Sequence, residues 1–362
     1  MRIIHLSDIH LSKSNYHEFI HKYRKALIED LIDYNQTKKI DVIVITGDLV
    51  DRGGHSLLDL DDFKHLSSPY EIFDFIFIQP IIQQIGISSN QVIFIPGNHD
   101  INEKEILYYD ECKMIENLKS SSSENYLRKN KIDFIDNKRI KLFKEFEKKF
   151  HLNNSLYDFS NNNSTFIYES ENNFKVGFLL INDSWRCKSR KIVGEDKGLY
   201  FGHQQLDYSL DILKTHNTDI NICLFHHSLD DYIEKNEILR ILETREIELF
   251  LYGHYHDADF KIEYSPFGSC IGVRGRAALN KPNEIESEYQ AGYQIIDLDL
   301  KTYKVNRIHY RKYIYKSARF DHDTDNARGG IDEGKDIFNL TRNNFKPKGF
   351  VDLEKIKFSK IS

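Results

Sequence analysis

The chain has 362 residues, which is long enough for one large domain or two small ones with a substantial buried core. Its 50 Lys and Arg residues against 56 Asp and Glu residues give a formal net charge of -6. This balance excludes a protein whose whole surface is positive, but it permits a local basic groove.

The apolar runs of the chain are short. The first residues, "MRIIHLSDIHL", are too polar for a signal peptide, and runs such as "VGFLLI" fall well short of a membrane span. The four cysteines, Cys112, Cys187, Cys223 and Cys270, lie far apart and form no CxxC pair. We therefore expect a soluble, cytoplasmic protein with no membrane association and with reduced thiols.

Short runs of β-branched and aromatic residues predict buried strands along the chain. In order they are "RIIHL", "DVIVIT", "QVIFIP", "VGFLLIN", "INICLFHH" and "IELFLYGH". Between them, "HEFIHKYRKALIEDLIDY" and "HQQLDYSLDILKT" carry apolar residues at the spacing of a helix. This alternation predicts an α/β fold, with sheets covered by helices. Four later runs, "FKIEYS", "GSCIGVR", "YQIIDLDL" and "YKVNRIHYRKY", lack intervening helices and predict an antiparallel part that completes a second sheet.

Two segments depart from this alternation. Residues 103–155 are mostly helical and charged, which predicts a helical insertion in a domain that spans residues 1–316. Residues 317–362 begin polar and contain glycine, which predicts a C-terminal tail or a segment that binds a partner protein.

The insertion contains one amphipathic helix, in "NKRIKLFKEFEKKF". Its apolar stripe consists of Ile140, Phe143, Phe146 and Phe150. Two interpretations are open: the helix packs on the domain and exposes a basic face to solvent, or it forms a cap that attracts a polyanion.

Polar side chains that could bind metals follow five of the predicted strands, in "LSDIH", "TGDLVD", "PGNHD", "LFHHS" and "LYGHYH". They are Asp8, His10, Asp48, Asn98, His99, Asp100, His226, His227, His254 and His256. Sites in open α/β sheets are built at the carboxyl ends of strands, so we expect these side chains to converge.

A buried cluster of carboxylates, an amide and imidazoles would be costly unless a positive charge held it together. Oxygen and imidazole ligands without a thiolate indicate a divalent ion such as Mn, Fe, Zn or Mg, and we expect Mn. The ligands outnumber those that one ion uses. Two ions that share Asp48 fit the number.

In this order, the motifs DxH, GD, GNHD, a strand-terminal His and GHxH resemble those of the calcineurin-like metallophosphoesterase family. The resemblance covers about residues 1–310. It implies a two-sheet β-sandwich flanked by helices, with a two-metal centre at one edge.

The resemblance also implies residue roles. One metal would be held by Asp8, His10, Asp48 and His256, and the other by Asp48, Asn98, His226 and His254. We prefer His226 to His227 because family members use the His that directly follows the strand. His99 would give a proton to the leaving oxygen or stabilise the developing charge, and Asp100 would orient His99.

Two features bear on the substrate. "GDLVDRGG" resembles the phosphate-binding stretch of serine/threonine phosphoprotein phosphatases, which makes Arg52 a candidate substrate contact. That likeness is partial, because Leu11 and Asp100 stand where those enzymes have glycine and glutamate.

The second feature is the loop "SWRCKSRK". It could stack on a base and bind backbone phosphates, or it could simply be a solvated loop. Its aromatic and basic residues are Trp185, Arg186, Lys188, Arg190 and Lys191, of which Arg186, Lys188 and Arg190 are candidate substrate contacts.

Two cations close together can activate a water molecule and neutralise a phosphoryl group during in-line attack. We therefore expect a phosphoester hydrolase, with a phosphodiester of DNA, RNA or a nucleotide as substrate. A phosphomonoesterase, acting on protein or small molecules, and a regulatory module that works with a partner protein are the alternatives.

Overall fold

Two mixed β-sheets form the centre of the computed structural model, which describes residues 1–109, 111–113, 123–130, 138–187, 199–256, 262–264, 270–279, 281 and 283–333. The strands of these residues are, in chain order, β1 (Arg2–Leu6), β2 (Val42–Thr46), β3 (Val92–Ile95), β4 (Tyr157–Asp158), β5 (Asn163–Glu169), β6 (Lys175–Ile181), β7 (Ile220–Leu224), β8 (Leu249–Tyr252), β9 (Ile262–Tyr264), β10 (Ile271–Arg274), β11 (Gly292–Asp299), β12 (Lys304–Ile314), β13 (Arg319–His322) and β14 (Ile331–Glu333).

The α-helices of the same residues surround the sheets. They are α1 (Lys13–Glu18), α2 (Arg24–Thr37), α3 (Pro69–Phe73), α4 (Gln79–Ile85), α5 (Ser123–Asn130), α6 (Lys141–Phe150), α7 (Gln204–Thr215) and α8 (Lys235–Thr244). Short π-helical segments, Phe19–Tyr23 and Asp74–Ile78, join α1 to α2 and α3 to α4. The left-handed Gly86 (φ 71°) ends α4.

The first sheet has the strand order β13-β12-β11-β1-β2-β3, and β14 also pairs with β12. Strands β1, β2 and β3 are parallel, whereas β11 runs antiparallel to β1. The second sheet has the order β4-β5-β6-β7-β8-β10-β9, and β6, β7, β8 and β10 are parallel. Parallel strands end at the same edge, so each sheet gathers the loops that follow its parallel strands.

Alternating side chains of each strand divide the core into layers. Between the sheets, residues of the first sheet such as Ile3, Val44 and Ile93 pack with residues of the second such as Phe178 and Leu224. On their outer faces, the first sheet packs against α2, α3 and α4, and the second packs against α7 and α8. This arrangement confirms the predicted α/β sandwich flanked by helices. The expectation that the late strands complete the second sheet as an antiparallel part is wrong for three of the four runs, because β11 pairs with β1 and brings β12 into the first sheet, and β10 runs parallel to β8.

The amphipathic helix of the insertion is α6. Phe143 and Phe146 lie 5.8 and 5.3 Å from Phe94 of β3, between ring centroids, and Lys144 is buried in an ion pair with Glu147 at 2.5 Å. Packing on the domain is therefore the interpretation that the structure shows for this helix.

The chain stays in the first sheet beyond the expected domain boundary at residue 317. Strands β13 and β14 both pair with β12, so residues 319–322 and 331–333 belong to the sheet. The expected partner-binding segment from residue 334 onward lies outside the described residues. Among the helices that are described, none has the length and apolar character needed to cross a bilayer.

Replacing Phe178 with Ala should lower the free energy of unfolding by about 3–5 kcal/mol, because it leaves a cavity between the sheets. Phe75→Ala is the control, since 63% of Phe75 is exposed, and we expect it to change stability by less than about 0.5 kcal/mol. Urea denaturation measures both. Equal losses would contradict this description of the core.

Candidate metal centre

Backbone hydrogen bonds join the loops after β1, β2, β7 and β8 at the edges where the parallel strands end. The Asp8 amide donates to the Gly47 carbonyl at 3.1 Å, and the His10 amide donates to the Asp48 carbonyl at 2.8 Å. The Gly253 amide donates to the His226 carbonyl at 2.9 Å. The His254 amide donates to Asp8 Oδ2 at 3.0 Å and links these two pairs of loops, so the strand-end motifs, scattered along the sequence, meet in one place.

A first group of possible ligands consists of Asp8, His10, Asp48 and His256. His256 Nε2 lies 3.4 Å from Asp8 Oδ1 and 3.1 Å from His10 Nε2. His10 Nε2 lies 3.8 Å from Asp8 Oδ1 and 3.5 Å from Asp48 Oδ2. Two ligands that each lie about 2.1 Å from one ion are about 3.0–3.4 Å from each other, so these spacings are close to those of a shared cation.

A second group adjoins the first through Asp48. Asp48 Oδ2 lies 3.4 Å from His226 Nε2, and Asn98 Oδ1 lies 3.0 Å from both His226 Nε2 and His254 Nδ1. Asp48 Oδ2 therefore faces imidazole nitrogens of both groups, as an oxygen that bridges two ions must do.

Two buried oxygens in the centre have no hydrogen-bond partner among the described residues: Asp8 Oδ1 and Asp48 Oδ2. The other oxygens of the same carboxylates are occupied. Asp8 Oδ2 accepts from the Ser7 hydroxyl and the His254 amide, and Asp48 Oδ1 accepts from the His99 amide. Because an uncompensated buried carboxylate oxygen is costly, the residues present fit a pair of divalent cations.

The backbone at this centre has an unusual conformation. Asp8, His10, Asp48 and His254 have φ values of 52°, 49°, 54° and 76°, in the left-handed region that costs energy for residues other than glycine. The loops are also tightly packed, since a Cβ atom on Gly97 would lie 2.2 Å from Asp48 Oδ1. Sharp turns and close contact together aim these side chains at one point.

Hydrogen bonds of the two adjacent histidines distinguish them. His226 Nδ1 donates to the Thr46 carbonyl at 2.7 Å, which leaves Nε2, the nitrogen that faces Asp48 and Asn98, for a metal. His227 Nδ1 contacts Asp183 Oδ2 at 2.7 Å, and its Nε2 faces Cys187 Sγ at 3.5 Å. This geometry favours His226 as the ligand.

Burial and charge shift the pKa values of the imidazoles in opposite directions. Burial lowers the pKa of His10 to about 4, so its ring is neutral and can act as a ligand near neutral pH. Burial also lowers the pKa of His226, but the Asp48 carboxylate outweighs it and raises the pKa to about 9. A cation at this place therefore has to displace a proton from His226.

His99 is oriented by a residue other than the one expected. His99 Nδ1 lies 2.7 Å from Asp51 Oδ1, and the hydrogen bond to His99 lowers the pKa of Asp51. The predicted partner, Asp100, is buried, and its carboxylate accepts from the backbone amides of Gly97, Leu49 and Val50. The role predicted for Asp100 is wrong, because these three amides hold its carboxylate within the loop.

The predicted substrate contacts have different surroundings. The Arg52 side chain is 82% exposed and follows Asp51, so it is open to a ligand. Arg186 is instead buried in an ion pair with Glu111 at 2.7 Å, and Trp185 is buried against Tyr126. The predicted substrate contacts of Arg186 and Trp185 do not agree with this geometry, because residues of the insertion cover both side chains. Lys188, Arg190 and Lys191 lie outside the described residues.

Two carboxylates at the site, Asp51 and Asp183, were not predicted from the sequence. Asp51 lies three residues after Asp48, and Asp183 follows β6 in "LLIND". Both stand at or near strand ends like the predicted ligands, so the strand-end rule could have included them. Their partners, His99 for Asp51 and His227 for Asp183, become visible only in three dimensions.

A family model described as "Calcineurin-like phosphoesterase" matches residues 1–258. The chain belongs to the calcineurin-like phosphoesterase family. Membership in this family, together with the first ligand group and with the contacts of Asp48, Asn98, His226 and His254, supports a centre for two divalent metal ions.

Individual relatives are distant. The chain is 24% identical over 273 residues to the uncharacterized metallophosphoesterase-like protein YydB of Bacillus subtilis (strain 168), a match that covers 72% of this chain and 50% of YydB. The chain thus spans about half the length of this curated relative.

Two solved structures are similar at 12% identity. One is a dimetal phosphatase from Danio rerio (TM-score 0.46, covering 86% of this chain and 95% of that chain). The other is the NAD nucleotidase of Haemophilus influenzae (TM-score 0.40, covering 92% and 55%).

Gly97→Ala should abolish metal binding at Asp48, because the added methyl group would displace the Asp48 carboxylate. Gly86→Ala is the control. The left-handed backbone of Gly86, at φ 71°, disfavours alanine, but nothing lies within 4 Å of the added Cβ atom. We expect the control to lose some stability and to keep its metals. Elemental analysis of both variants measures the outcome, and full metal content in Gly97→Ala would contradict the geometry described.

Proposed function

We propose that this protein is a metal-dependent phosphoester hydrolase with a dinuclear centre. The observation that carries the proposal is the pair of buried oxygens, Asp8 Oδ1 and Asp48 Oδ2, which face imidazole nitrogens at 3.4–3.8 Å and have no hydrogen-bond partner among the described residues. The ligand oxygens and imidazole nitrogens suit Mn²⁺, Fe²⁺, Zn²⁺ and Mg²⁺, and of these we propose Mn²⁺.

Two bound divalent cations would supply positive charge that activates water and neutralises the phosphoryl oxygens. Beside them, His99 would act on the leaving group. Two observations support this role: its ring centroid lies 4.4 Å from that of His10, and 26% of its side chain is exposed. Asp51 holds Nδ1 of His99, which fixes the ring and leaves Nε2 for proton transfer or charge stabilisation.

As substrate we propose a phosphodiester of nucleic acid or of a nucleotide. Tyr108 and Tyr109, which follow the GNHD loop at the start of the insertion, are 66% and 76% exposed. Exposed aromatic rings can stack on bases whatever the sequence, which supports this substrate class.

A phosphomonoester is the second candidate, and Arg52 favours it. The Arg52 side chain is exposed next to Asp51, which contacts His99, so its guanidinium can reach a terminal phosphate group near the metals.

His99→Ala should lower kcat by about 10²–10⁴-fold and leave the metal content unchanged, because His99 contributes acid–base or charge stabilisation without being a ligand. Asp51→Asn should lower kcat less, since the ring of His99 keeps one hydrogen bond. His216→Ala, an exposed histidine at the end of α7, is the control. Steady-state kinetics and elemental analysis measure these effects. Wild-type kcat in His99→Ala would exclude the proposed role.

Chelation should abolish hydrolysis and lower the melting temperature, because the two carboxylates lose their counter-charge. The metal-free protein, restored in turn with Mn²⁺, Zn²⁺, Mg²⁺ and Fe²⁺, is then assayed on bis-p-nitrophenyl phosphate, linear DNA, RNA and cyclic nucleotides. A matched assay uses p-nitrophenyl phosphate. Activity on the monoester alone would reject the phosphodiester proposal, and no activity with any metal would reject the hydrolase.

A further inference from the structure

A single carboxylate oxygen gathers four hydrogen-bond donors directly behind the second ligand group. Asp183 Oδ2 accepts from the backbone amides of His226 and His227 at 3.0 and 2.9 Å. It also contacts His227 Nδ1 at 2.7 Å and accepts from the Tyr232 hydroxyl at 2.5 Å. Asp183 is fully buried, so these bonds are not exchanged with water.

Sheet topology explains why Asp183 lies there. Strands β6 and β7 are parallel neighbours, with Leu180 opposite Leu224, and Asp183 and His226 follow them at the same edge. The amides of His226 and His227 belong to the turn that carries the strand-end histidine. Because Asp183 Oδ2 accepts from both amides, it fixes the direction in which that turn leaves the strand.

Three hydrogen bonds fix the orientation of His226. Its backbone amide donates to Asp183, its carbonyl accepts from the Gly253 amide, and its ring donates to the Thr46 carbonyl through Nδ1. With these bonds in place, Nε2 points at Asn98 Oδ1 and Asp48 Oδ2, at 3.0 and 3.4 Å. Without the Asp183 carboxylate, one of the two main-chain bonds is weakened and the position of the ring is less tightly fixed.

The loop of Asp183 also reaches the asparagine of the same group. The Ser184 hydroxyl donates to the Pro96 carbonyl at 3.2 Å, two residues before Asn98. The loop that begins at Asp183 thus contacts the segments that carry two of the four ligands proposed for the second ion, His226 and Asn98, and neither of these belongs to the first ligand group.

The charge of Asp183 strengthens its hold on the turn. Hydrogen bonds to a carboxylate are roughly twice as strong as those to a neutral acceptor, and the same Asp183 oxygen lies 2.7 Å from His227 Nδ1 in a buried ion-pair contact. An asparagine would keep an oxygen acceptor but would lose this charge.

We propose that Asp183 is a positioning residue for the second metal ion, the one that Asn98, His226 and His254 would hold with Asp48. This inference rests on the dinuclear centre of the proposed function. It assigns to Asp183 a selective effect on one of the two ions.

The test is metal binding by Asp183→Asn in the full chain, with Mn²⁺ and Zn²⁺ as probes. Elemental analysis should show bound metal falling from about two ions to about one per chain. Calorimetric titration should show one of the two ions losing about 10–100-fold in affinity, the range found for residues that support metal ligands, and the other keeping its wild-type affinity. Asp211→Asn is the matched control, because Asp211 is an acidic residue on α7 whose side chain is 68% exposed.

A merely structural role would lower the melting temperature without favouring one ion. The proposal would be overturned if Asp183→Asn bound both ions with wild-type affinity, or if it lost both ions equally. If Asp183→Asn does not fold, Tyr232→Phe decides, since it removes one of the four donors: a selective weakening of one ion supports the proposal, and unchanged affinities overturn it.

Binding and turnover separate this inference from the proposed function. A wild-type protein that binds two ions and hydrolyses no phosphoester would reject the hydrolase. The metal titrations of Asp183→Asn would still decide the role of Asp183.

Discussion

The negative charge of Asp8 and Asp48, buried where two sets of parallel strands end, is the constraint on which the site depends. Each carboxylate has one oxygen in hydrogen bonds with the protein and one without a partner among the described residues. Neighbouring imidazoles lower the pKa of both carboxyl groups against the effect of burial, so both stay charged. Such a centre is stable only with cations or protons between its ligands, and this links folding, metal binding and pH.

The surrounding structure holds these charges in place. Left-handed backbone at Asp8, Asp48 and His254 costs energy that the sandwich must supply through its buried layers. Gly97 permits the loop after β3 to touch Asp48, which no larger residue would allow. Strain and close packing at this edge therefore depend on a large core elsewhere in the domain.

The sequence predicted much of this because its signals are local. Strands such as β1, β2 and β7 are short apolar runs, and the metal-binding side chains follow them directly, so order and spacing were informative. Strand β5 was not predicted, since it begins with Asn163 and Ser164, which are typical of loops.

The errors concern contacts between distant segments. Asp100 was expected to hold its neighbour His99, but Asp51, 48 positions earlier, does so. Arg186 looked like a solvent-exposed cation, and only the fold brings Glu111 beside it. Such pairs leave no periodicity in the sequence, and they form only when the tertiary structure is complete.

The ion pairs of Glu111 have a consequence for how this domain can be altered. Glu111, in the insertion, contacts Arg139 and Arg186, and all three side chains are almost fully buried. Arg186 lies three residues after Asp183, so an ion pair connects the insertion to the loop that carries Asp183. Deleting the insertion to make a minimal domain would remove the Glu111 carboxylate that pairs with Arg186 and would uncover the loop that carries Asp183. Truncation and domain-grafting experiments must therefore treat the insertion and the metal centre as one cooperative unit.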